Sequence, residues 1–237
     1  MKIHRNHTYQ FVFVLLLAFV SFTGCNNSKT KISGQFDNCK NNYFVLYQIY
    51  PDDLEPVDTV LLLNGRFSHT IENDQIGAYL MEFSDTTFIS FIADVGGKLV
   101  FSGDADNLQK TYNVQGSEEA GLLLQNNRKL DTLYLEVEKL SVEFKKYAYE
   151  NYSDSTIAVL DSLYYVYFDS HKQYLTDFIL SHPDKLASLF AFYQTLGKNS
   201  FFTIKKDAYL LKEIYPSLSK RYPDNIYVKD IKEKLEE

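Results

Sequence analysis

The two cysteines of this 237-residue chain are the residues whose chemistry is easiest to assign. The first of them, Cys25, follows what looks like an export signal. A cationic start precedes an unbroken apolar run over 11–20, and the small residues Thr23 and Gly24 directly precede Cys25. Such a run is too short to cross a bilayer, which takes about 20 apolar residues, but it has the length of a signal-peptide core. The sequence therefore predicts a lipoprotein signal peptide over 1–24 and a lipid on Cys25.

Lipidation of Cys25 would hold the protein in the bacterial cell envelope by a covalent membrane anchor. We expect it to face the periplasm, at the outer rather than the inner membrane, with a polar leash over 25–30 before the folded part. Phe22 occupies the position at which the lipoprotein cleavage motif usually has Leu. An ordinary secretory signal or an uncleaved anchor is therefore the alternative interpretation.

The second cysteine, Cys39, lies in a polar, turn-like segment over 37–42. A lipidated Cys25 cannot form a disulfide, so Cys39 would have no partner within the chain in an oxidising compartment. The sequence contains no Cys-x-x-Cys pair and hence no dithiol redox centre of its own. A tolerated loop thiol is the simpler interpretation of Cys39, and a reactive thiol is the alternative.

The remaining ionisable residues form no pattern typical of a catalytic or metal site. His69, near Glu72 and Asp74, is better explained as an exposed strand position than as part of a metal site. Asp104 and Asp106 begin like a calcium loop, but the glycine and the later ligands of such a loop do not follow. The sequence also contains no nucleophile elbow, phosphate loop or dinucleotide motif. We therefore expect no catalytic residue, no cofactor and no bound metal.

Charge and aromatic content limit the kinds of partner and fold. Loss of residues 1–24 would remove Lys2 and Arg5 from the 24 basic residues and none of the 31 acidic ones, which lowers the net charge from −7 to −9. Nucleic acid is therefore not expected as a partner. The 19 tyrosines and 18 phenylalanines favour packed β-structure and aromatic helix seams over disorder.

The first half of the mature chain has the pattern of short strands. Asn64-Gly65 separates two β-prone runs, 57–63 and 66–71, and is a strong hairpin signal. Short strands with Gly, Asp and Asn turns between them, and no helical period, predict an antiparallel β-sandwich or open barrel over 31–116. Further strands are expected at 44–50, 78–83, 87–93, 98–102 and 111–114.

A helical period begins near Ser117, whose hydroxyl can cap a helix that starts with Glu118 and Glu119. Apolar residues then recur at helical spacing over 130–147 and again over 157–178. These stripes predict an antiparallel helical hairpin whose seam packs within the chain or, as the alternative, against a partner. Further helices are expected over 183–196, over 205–222 with an interruption at Pro216, and over 225–235, so that the α-helical region spans 117–237 and the fold class is α+β.

Several segments of the β-rich half occur in an order typical of one family. They are 32–36 (ISGQF), 58–60 (DTV), 64–67 (NGRF), 94–104 (DVGGKLVFSGD) and 114–117 (VQGS). This half resembles the N-terminal β-rich domain of unknown function of membrane-tethered, lipoprotein thiol-disulfide oxidoreductases of the AhpC/TSA/thioredoxin-like type. The helical segments 178–196 and 221–235 are similar to the linker that follows that domain.

The resemblance implies a partner but supplies no catalytic residue. In that family a thioredoxin-like domain with a Cys-x-x-Cys active site follows at the place where this sequence stops, so no catalytic position can be transferred. We therefore expect a non-enzymatic envelope lipoprotein that binds or positions a partner at the membrane. The alternatives are a subunit acting in trans with a separately encoded thioredoxin-like oxidoreductase, and a lipoprotein that binds a small apolar or carbohydrate ligand on its aromatic-rich surface.

Overall fold

The computed structural model describes residues 28–149 and 154–236. The predicted signal peptide, Cys25 and the first half of the predicted leash lie outside the described residues. The first strand already begins at Lys29, so Lys29 and Thr30 belong to the sheet and not to the leash. No helix within the described ranges is long and apolar enough to span a membrane.

The β-rich half consists of eight strands in two four-stranded sheets. The strands are β1 (Lys29–Asp37), β2 (Tyr43–Ile49), β3 (Leu54–Leu61), β4 (Arg66–Glu72), β5 (Gly77–Ser84), β6 (Thr87–Ala93), β7 (Lys98–Asp104) and β8 (Asn113–Gln115).

One strand pair departs from the predicted antiparallel arrangement. The first sheet has the order β4-β1-β7-β8 and the second has the order β3-β2-β5-β6. β1 and β7 are parallel, with Ile32 opposite Leu99, whereas the other pairs in these two sheets are antiparallel. Parallel neighbours need a long connection, and residues 38–97 provide it. The alternation of side chains along one strand does not reveal the direction of its neighbour, so the sequence pattern could not show this pair.

Aromatic rings from both sheets fill the space between them. Phe44 of β2 meets Phe67 of β4 edge to face, with ring centroids 5.1 Å apart, and Phe91 of β6 meets Phe101 of β7 at 5.0 Å. Each pair of this kind contributes about 0.5–1.5 kcal/mol beyond the burial of its area. The aromatic content of the sequence therefore serves to join two sheets into a sandwich.

The Asn64-Gly65 turn forms as predicted, but it joins strands of different sheets. Asn64 and Gly65 have φ values of 51° and 73°, as a two-residue type I′ turn requires, and Leu63 pairs with Arg66 across the turn. On either side of this turn, β3 belongs to the second sheet and β4 belongs to the first. The hairpin prediction is right at the turn and wrong beyond it, because this turn forms a corner of the sandwich.

The helical half has five helices after a short one inside the β-rich half, counted over the described residues. A 3₁₀ turn at Ala105–Asn107 leads into the short helix, and a two-stranded hairpin, β9 (Thr195–Leu196) and β10 (Asn199–Ser200), interrupts the later ones. The fold class α+β is thereby confirmed. The helices are α1 (Leu108–Thr111), α2 (Glu118–Tyr149), α3 (Asp154–Ser181), α4 (Leu186–Phe192), α5 (Ile204–Arg221) and α6 (Ile226–Glu236).

The long helices α2 and α3 form the predicted antiparallel hairpin. Tyr174, near the end of α3, donates its hydroxyl to Asn126 Oδ1, near the start of α2, at 2.8 Å. The stripe residues Leu133 and Phe178 are buried close to this contact, whereas Phe144, farther along α2, is 42% exposed. Over the described residues, the seam is therefore fully buried near the sandwich and partly exposed farther along α2.

The segment predicted as one helix over 183–196 contains a shorter helix and a strand. α4 ends at Phe192, and β9 pairs with β10 across a two-residue turn in which Gly197 has a φ of 62°. The sequence pattern indicates Gly197 as a helix stop. Instead it is the first residue of a tight hairpin turn, a position that favours glycine.

Helix α5 passes through Pro216 without the predicted interruption. Proline removes a backbone hydrogen bond and costs a helix about 3 kcal/mol. Leu211, Ile214 and Leu218, on both sides of Pro216, are nevertheless fully buried. Burial of this apolar face outweighs the local penalty, because tertiary packing supplies most of the stability of a helix in a folded protein.

The last helix fixes the helical half to the second sheet. Tyr227 is 3% exposed, and its hydroxyl accepts the N–H of Ala78 at 3.0 Å and donates to the carbonyl oxygen of Ile49. Asn225 Nδ2 donates to the carbonyl oxygen of Ile76 at 2.8 Å. Sandwich and helices are thus joined by buried hydrogen bonds as well as by apolar contacts.

Replacement of Gly65 by Ala tests whether the corner turn limits the stability of the sandwich. A Cβ at this position would collide with the carbonyl oxygen of Phe36, and the left-handed backbone alone costs a residue with a Cβ about 1–2 kcal/mol. We expect Gly65→Ala to lower the free energy of unfolding by about 2 kcal/mol or more, measured by urea unfolding and circular dichroism.

The control for this substitution is Gly121→Ala in α2. No atom lies within 4 Å of the Cβ that Gly121 would gain, and replacing a helical Gly by Ala adds about 0.5–1 kcal/mol of stability. The two variants should therefore move the free energy of unfolding in opposite directions. Equal effects would show that the corner turn has no special importance.

Candidate ligand-binding groove

The ionisable residues considered for chemistry lie apart from one another. His69 Nδ1 is 3.7 Å from Asp58 Oδ2, while Glu72 forms an ion pair with Lys29 at 2.8 Å. Within residues 28–149 and 154–236, no three His, Cys, Asp or Glu side chains are grouped so as to hold a metal ion. The structure thus places the ring of His69, on β4, beside the carboxylate of Asp58, on β3.

The acidic pair Asp104 and Asp106 forms a capped turn. Asp104 Oδ1 accepts the N–H of Asp106 at 3.1 Å and the Nδ2 group of Asn38 at 3.1 Å. A carboxylate used in this way satisfies the free N–H groups at the start of a helical turn. The side chain of Asp104 therefore has a structural role at the start of the 3₁₀ turn.

Of the two cysteines, Cys39 lies within the described residues. Cys25 lies outside the described residues. Cys39 is a half-buried free thiol in the loop between β1 and β2, with its Sγ 3.6 Å from the carbonyl oxygen of Asn41. Its placement agrees with the predicted polar turn.

His171, which belongs to the predicted stripe of α3, is a core residue. It is 7% exposed, its Nε2 lies 2.8 Å from Gln194 Oε1, and its ring centroid lies 4.7 Å from that of Phe201. Burial lowers the pKa of His171 below its usual value, although the hydrogen bond to Gln194 opposes the shift. The neutral imidazole ties α3 to the segment that follows α4.

Ser117 begins α2 as predicted and also ties this helix to the sandwich. Its Oγ accepts the N–H of Ala120 at 3.2 Å, which is the expected cap. The same hydroxyl donates to Asp94 Oδ2 at 2.6 Å, directly after β6. The start of α2 is therefore fixed against the end of a sheet strand.

A buried carboxylate joins three helices where the sandwich meets the helical half. Glu119 is 2% exposed, and its two oxygens accept the N–H groups of Leu186 and Ala187 at 3.1 and 2.9 Å. The hydroxyl of Tyr222, which follows α5, donates to Glu119 Oε1 at 3.1 Å. The sequence pattern assigns Glu119 to the first turn of its own helix, but its carboxylate caps the first turn of α4. Burial raises the pKa of Glu119, and these hydrogen bonds oppose the shift.

An open groove of about 650 Å³ lies between the sandwich and the helical half. Its size falls within the range of ligand pockets, roughly 300–1,000 Å³. One wall comes from β6 and the segment around α1, and the other comes from α2 and the segment after α4. Four apolar side chains of the lining are 38–45% exposed: Phe88, Tyr134, Leu135 and Tyr193.

Hydrogen bonds hold the lining of the groove in place. Asn127 Nδ2, on α2, donates to Ser90 Oγ at 3.2 Å and to the hydroxyl of Tyr112 at 3.1 Å. The hydroxyl of Tyr134 accepts the N–H of Gly197 at 2.8 Å. These contacts join the two walls to each other, so the position of α2 against β6 is fixed before a ligand binds.

The groove contains more acidic than basic side chains. Asp131 and Glu138 line it together with Lys110. Partial burial raises the pKa of Asp131, and Lys110 opposes this shift. Burial also raises the pKa of Tyr112 to about 12, so its hydroxyl keeps its proton at neutral pH. This lining suits a ligand that has apolar groups and either a positive charge or hydrogen-bond donors.

The fold and the groove define an α+β protein in which a β-sandwich and a helical region share one cleft. Residues 30–123 match the model of the family described as Domain of unknown function (DUF4369), a range that extends from β1 into the first turns of α2. The chain therefore contains a DUF4369 domain, and the family description names no activity for it. No curated protein and no solved structure matches the chain.

Sequence reasoning misses the groove because its walls come from separated parts of the chain. The segments that line it are 88–90, 107–112, 127–138 and 193–195. One local signal was available. Tyr134 and Leu135 lie beside the predicted apolar stripe of α2 and not on it, and apolar residues outside the packed stripe of a helix mark a second contact surface.

The dependence of stability on pH tests the buried carboxylate of Glu119. Because its pKa is raised, folding favours the protonated form, and the Glu119 contribution to the free energy of unfolding falls as pH rises from 4.5 through the raised pKa. Glu119→Gln removes this titration and leaves a buried N–H short of an acceptor, at a cost of about 1–3 kcal/mol. Urea unfolding at a series of pH values should show the stability gap between wild type and variant narrowing as pH rises.

Glu143→Gln is the matched control, because Glu143 lies on the same helix and is exposed to solvent. This variant should keep the wild-type dependence on pH. A gap between wild type and Glu119→Gln that widens as pH rises would contradict a raised pKa for Glu119.

Proposed function

We propose that this chain is a membrane-tethered binding module of the bacterial cell envelope and catalyses no reaction itself. In this proposal, the groove between the sandwich and the helical half holds a segment of a partner protein. The observation that supports the proposal is the groove, with four partly exposed apolar side chains around a space of about 650 Å³. Tyr and Phe are enriched at protein interfaces, where they bury a large area with little loss of side-chain freedom.

The charges of the groove favour a partner segment with a basic residue. Asp131 and Glu138 would attract such a residue, and the exposed aromatic rings can bind a cation on their faces. One contact of this kind already exists within the chain, since Lys234 Nζ lies 5.4 Å from the ring centroid of Tyr193. The proposed partner segment is therefore apolar with at least one Lys or Arg.

Two more specific proposals concern the identity of what binds. The resemblance of the chain to the N-terminal part of thiol-disulfide oxidoreductases favours a thioredoxin-fold protein as the partner, with this chain as a non-catalytic subunit in trans. The aromatic lining of the groove favours, as a second candidate, a small apolar or carbohydrate ligand. The two differ in whether a protein is found in the groove.

Cys25→Ala tests the membrane tether. We expect this variant of the full chain to lose label from a metabolic fatty-acid probe and to leave the membrane fraction, or to remain unprocessed. Cys39→Ser is the control and should keep both the label and the membrane location. A Cys25→Ala protein that is still labelled and still in the membrane fraction would refute lipidation at this residue.

Photo-crosslinking in cells tests the groove. A photoreactive phenylalanine analogue at Phe88 should give a crosslinked protein, whereas the same analogue at Tyr209, which is 57% exposed on α5 and outside the groove lining, should not. Leu135→Ala should lower the yield at Phe88 about tenfold, as expected for loss of an interface anchor. Leu163→Ala, at a position that is also 38% exposed, should leave the yield unchanged.

The mass of the crosslinked product separates the proposals. A thioredoxin-fold protein would favour the subunit in trans, and another protein would support the general binding module. Binding of a saccharide or apolar probe that Leu135→Ala abolishes, with no protein crosslinked, would favour the small-ligand candidate. Equal crosslinking from Phe88 and Tyr209 would contradict a binding role for the groove.

A further inference from the structure

We propose that one face of the first sheet rests on the anionic phospholipid surface of the membrane that holds the lipid anchor. This inference rests on the membrane tether of the proposed function and adds the orientation in which the tether holds the protein. We call the contact surface the lysine face. It consists of the outward side chains of the first sheet near the start of β1, which are Lys29, Lys31, Ser33, Thr70, Lys98 and Val100.

The helical half covers the second sheet and leaves the lysine face exposed. Ala78 and Ile92, on the second sheet, are fully buried in the same apolar core as the helices. In the first sheet, the side chains that alternate with the core residues are exposed or half-buried along β1, β4 and β7. The lysine face is therefore free to meet a flat surface.

The predicted anchor holds the lysine face close to the bilayer. β1 begins at Lys29, and residues 26–28 separate this strand from Cys25. An extended chain spans at most about 3.6 Å per residue, so the Cα atoms of Cys25 and Lys29 are at most about 14 Å apart. A short tether of this kind gives a high effective concentration, at which even a weak contact with the membrane is enough to orient the protein.

Two lysines lie side by side on this face. Lys31 of β1 and Lys98 of β7 are directly opposite each other in the parallel pair, and both are exposed. Neither forms an ion pair with another described residue. Two like charges at this spacing repel each other. A lipid phosphate between the two ammonium groups would replace this repulsion by attraction.

The acidic side chains of the same sheet face are either paired or far from the anchor. Glu72 forms an ion pair with Lys29 at 2.8 Å. Asp37 and Asp104 are opposite each other at the far ends of β1 and β7, about 20 Å from the two lysines at a rise of about 3.3 Å per residue. The positive end of the face is therefore the end next to the anchor, although the chain as a whole is acidic.

Two more acids lie at this end of the sandwich, but in loops and not on the sheet face. Asp94 directly follows β6 and accepts a hydrogen bond from Ser117 Oγ at 2.6 Å. Asp74 lies in the loop from β4 to β5, which crosses from the first sheet to the second. The charge presented by the lysine face is therefore determined by Lys31 and Lys98.

The rest of the lysine face has small uncharged side chains. Ser33 lies opposite Val100 on one side and opposite Ser68 on the other, and Thr70 lies opposite Lys31. Val100 is 51% exposed. Side chains of this size allow the backbone of the sheet to approach the lipid headgroups closely.

This orientation leaves the groove open to a partner. Asp94, after the end of β6, accepts the hydroxyl of Thr30 through its carbonyl oxygen and so lies at the anchored end. Phe88, in the groove lining, is near the start of β6 and about 20 Å away along the strand. The groove and the lysine face are therefore at different ends of the sandwich.

Fluorescence quenching on the lipidated full chain tests the membrane contact. In a Cys39→Ser background, a small probe on Val100→Cys should be quenched by acrylamide at least about fivefold less on vesicles of equal parts phosphatidylglycerol and phosphatidylcholine than in detergent, since each lysine near an anionic surface favours contact about fivefold. Vesicles of phosphatidylcholine alone should not protect the probe. About 1 M salt, which shortens the Debye length to about 3 Å, should also remove the protection.

Val166→Cys is the matched control for the probe position. Val166 is 60% exposed on α3, so its probe should be quenched equally on vesicles and in detergent. Equal protection at both positions, or none at Val100, would overturn the proposal. Protection of the Val100 probe in native membranes but not on the vesicles would assign the face to a protein and would overturn it as well.

Charge reversal tests the two lysines. Lys31→Glu combined with Lys98→Glu should abolish the protection of the Val100 probe, because the face would then repel the anionic lipids. Lys205→Glu combined with Lys212→Glu, at two exposed positions of α5, makes the same change of net charge and should leave the protection intact. Protection that survives the first pair of substitutions, or that is lost equally with the second, would overturn the proposal.

The mass of the purified chain separates failure of the orientation from failure of the tether. An unlipidated chain would overturn the tether and this proposal together. A chain that carries a lipid on Cys25 but shows no protection at Val100 would overturn the orientation alone and would leave the tether in place.

Discussion

The carboxylate of Glu119 satisfies the first N–H groups of α4 at a place that is closed to solvent. α4 has seven residues, and a helix of this length has little stability of its own in water. Its backbone could not be buried at the junction without an acceptor for these groups. α4 in turn positions the segment 193–195, which forms part of one wall of the groove. The shape of the candidate site therefore depends on a hydrogen-bonded acid that does not line it.

Two sets of buried polar contacts give the junction its rigidity. Ser117 and Glu119 attach the start of α2 to the end of β6 and to α4, and Tyr227 attaches α6 to the backbone of the second sheet. Each contact joins elements from both halves of the fold or from distant helices. A cleft whose walls are joined by such bonds before a ligand arrives loses less free energy in becoming ordered when the ligand binds.

The features that were predicted correctly are those encoded by neighbouring residues. The Ser117 cap, the Asn64-Gly65 turn and the apolar stripes of α2 and α3 each depend on a few adjacent positions. The features that were missed depend on distant contacts. The parallel pairing of β1 with β7, the partners of Glu119 some 67 residues away and the groove itself arise only when the chain has folded. The continuous helix through Pro216 also depends on distant contacts. Proline by itself predicts an interruption, but the burial of Leu211 and Leu218 in the core outweighs this local signal.

The strand through which the chain enters its fold has a mechanical consequence. β1 lies inside the first sheet, between β4 and β7, so a pull on the residues before Lys29 acts along a strand that is bonded on both sides. Extraction of this strand would break the hydrogen bonds to two neighbours, whereas extraction of an edge strand would break the hydrogen bonds to one. If a partner held in the groove pulls on an anchored chain, the force therefore acts first on a strand that has a hydrogen-bonded neighbour on each side.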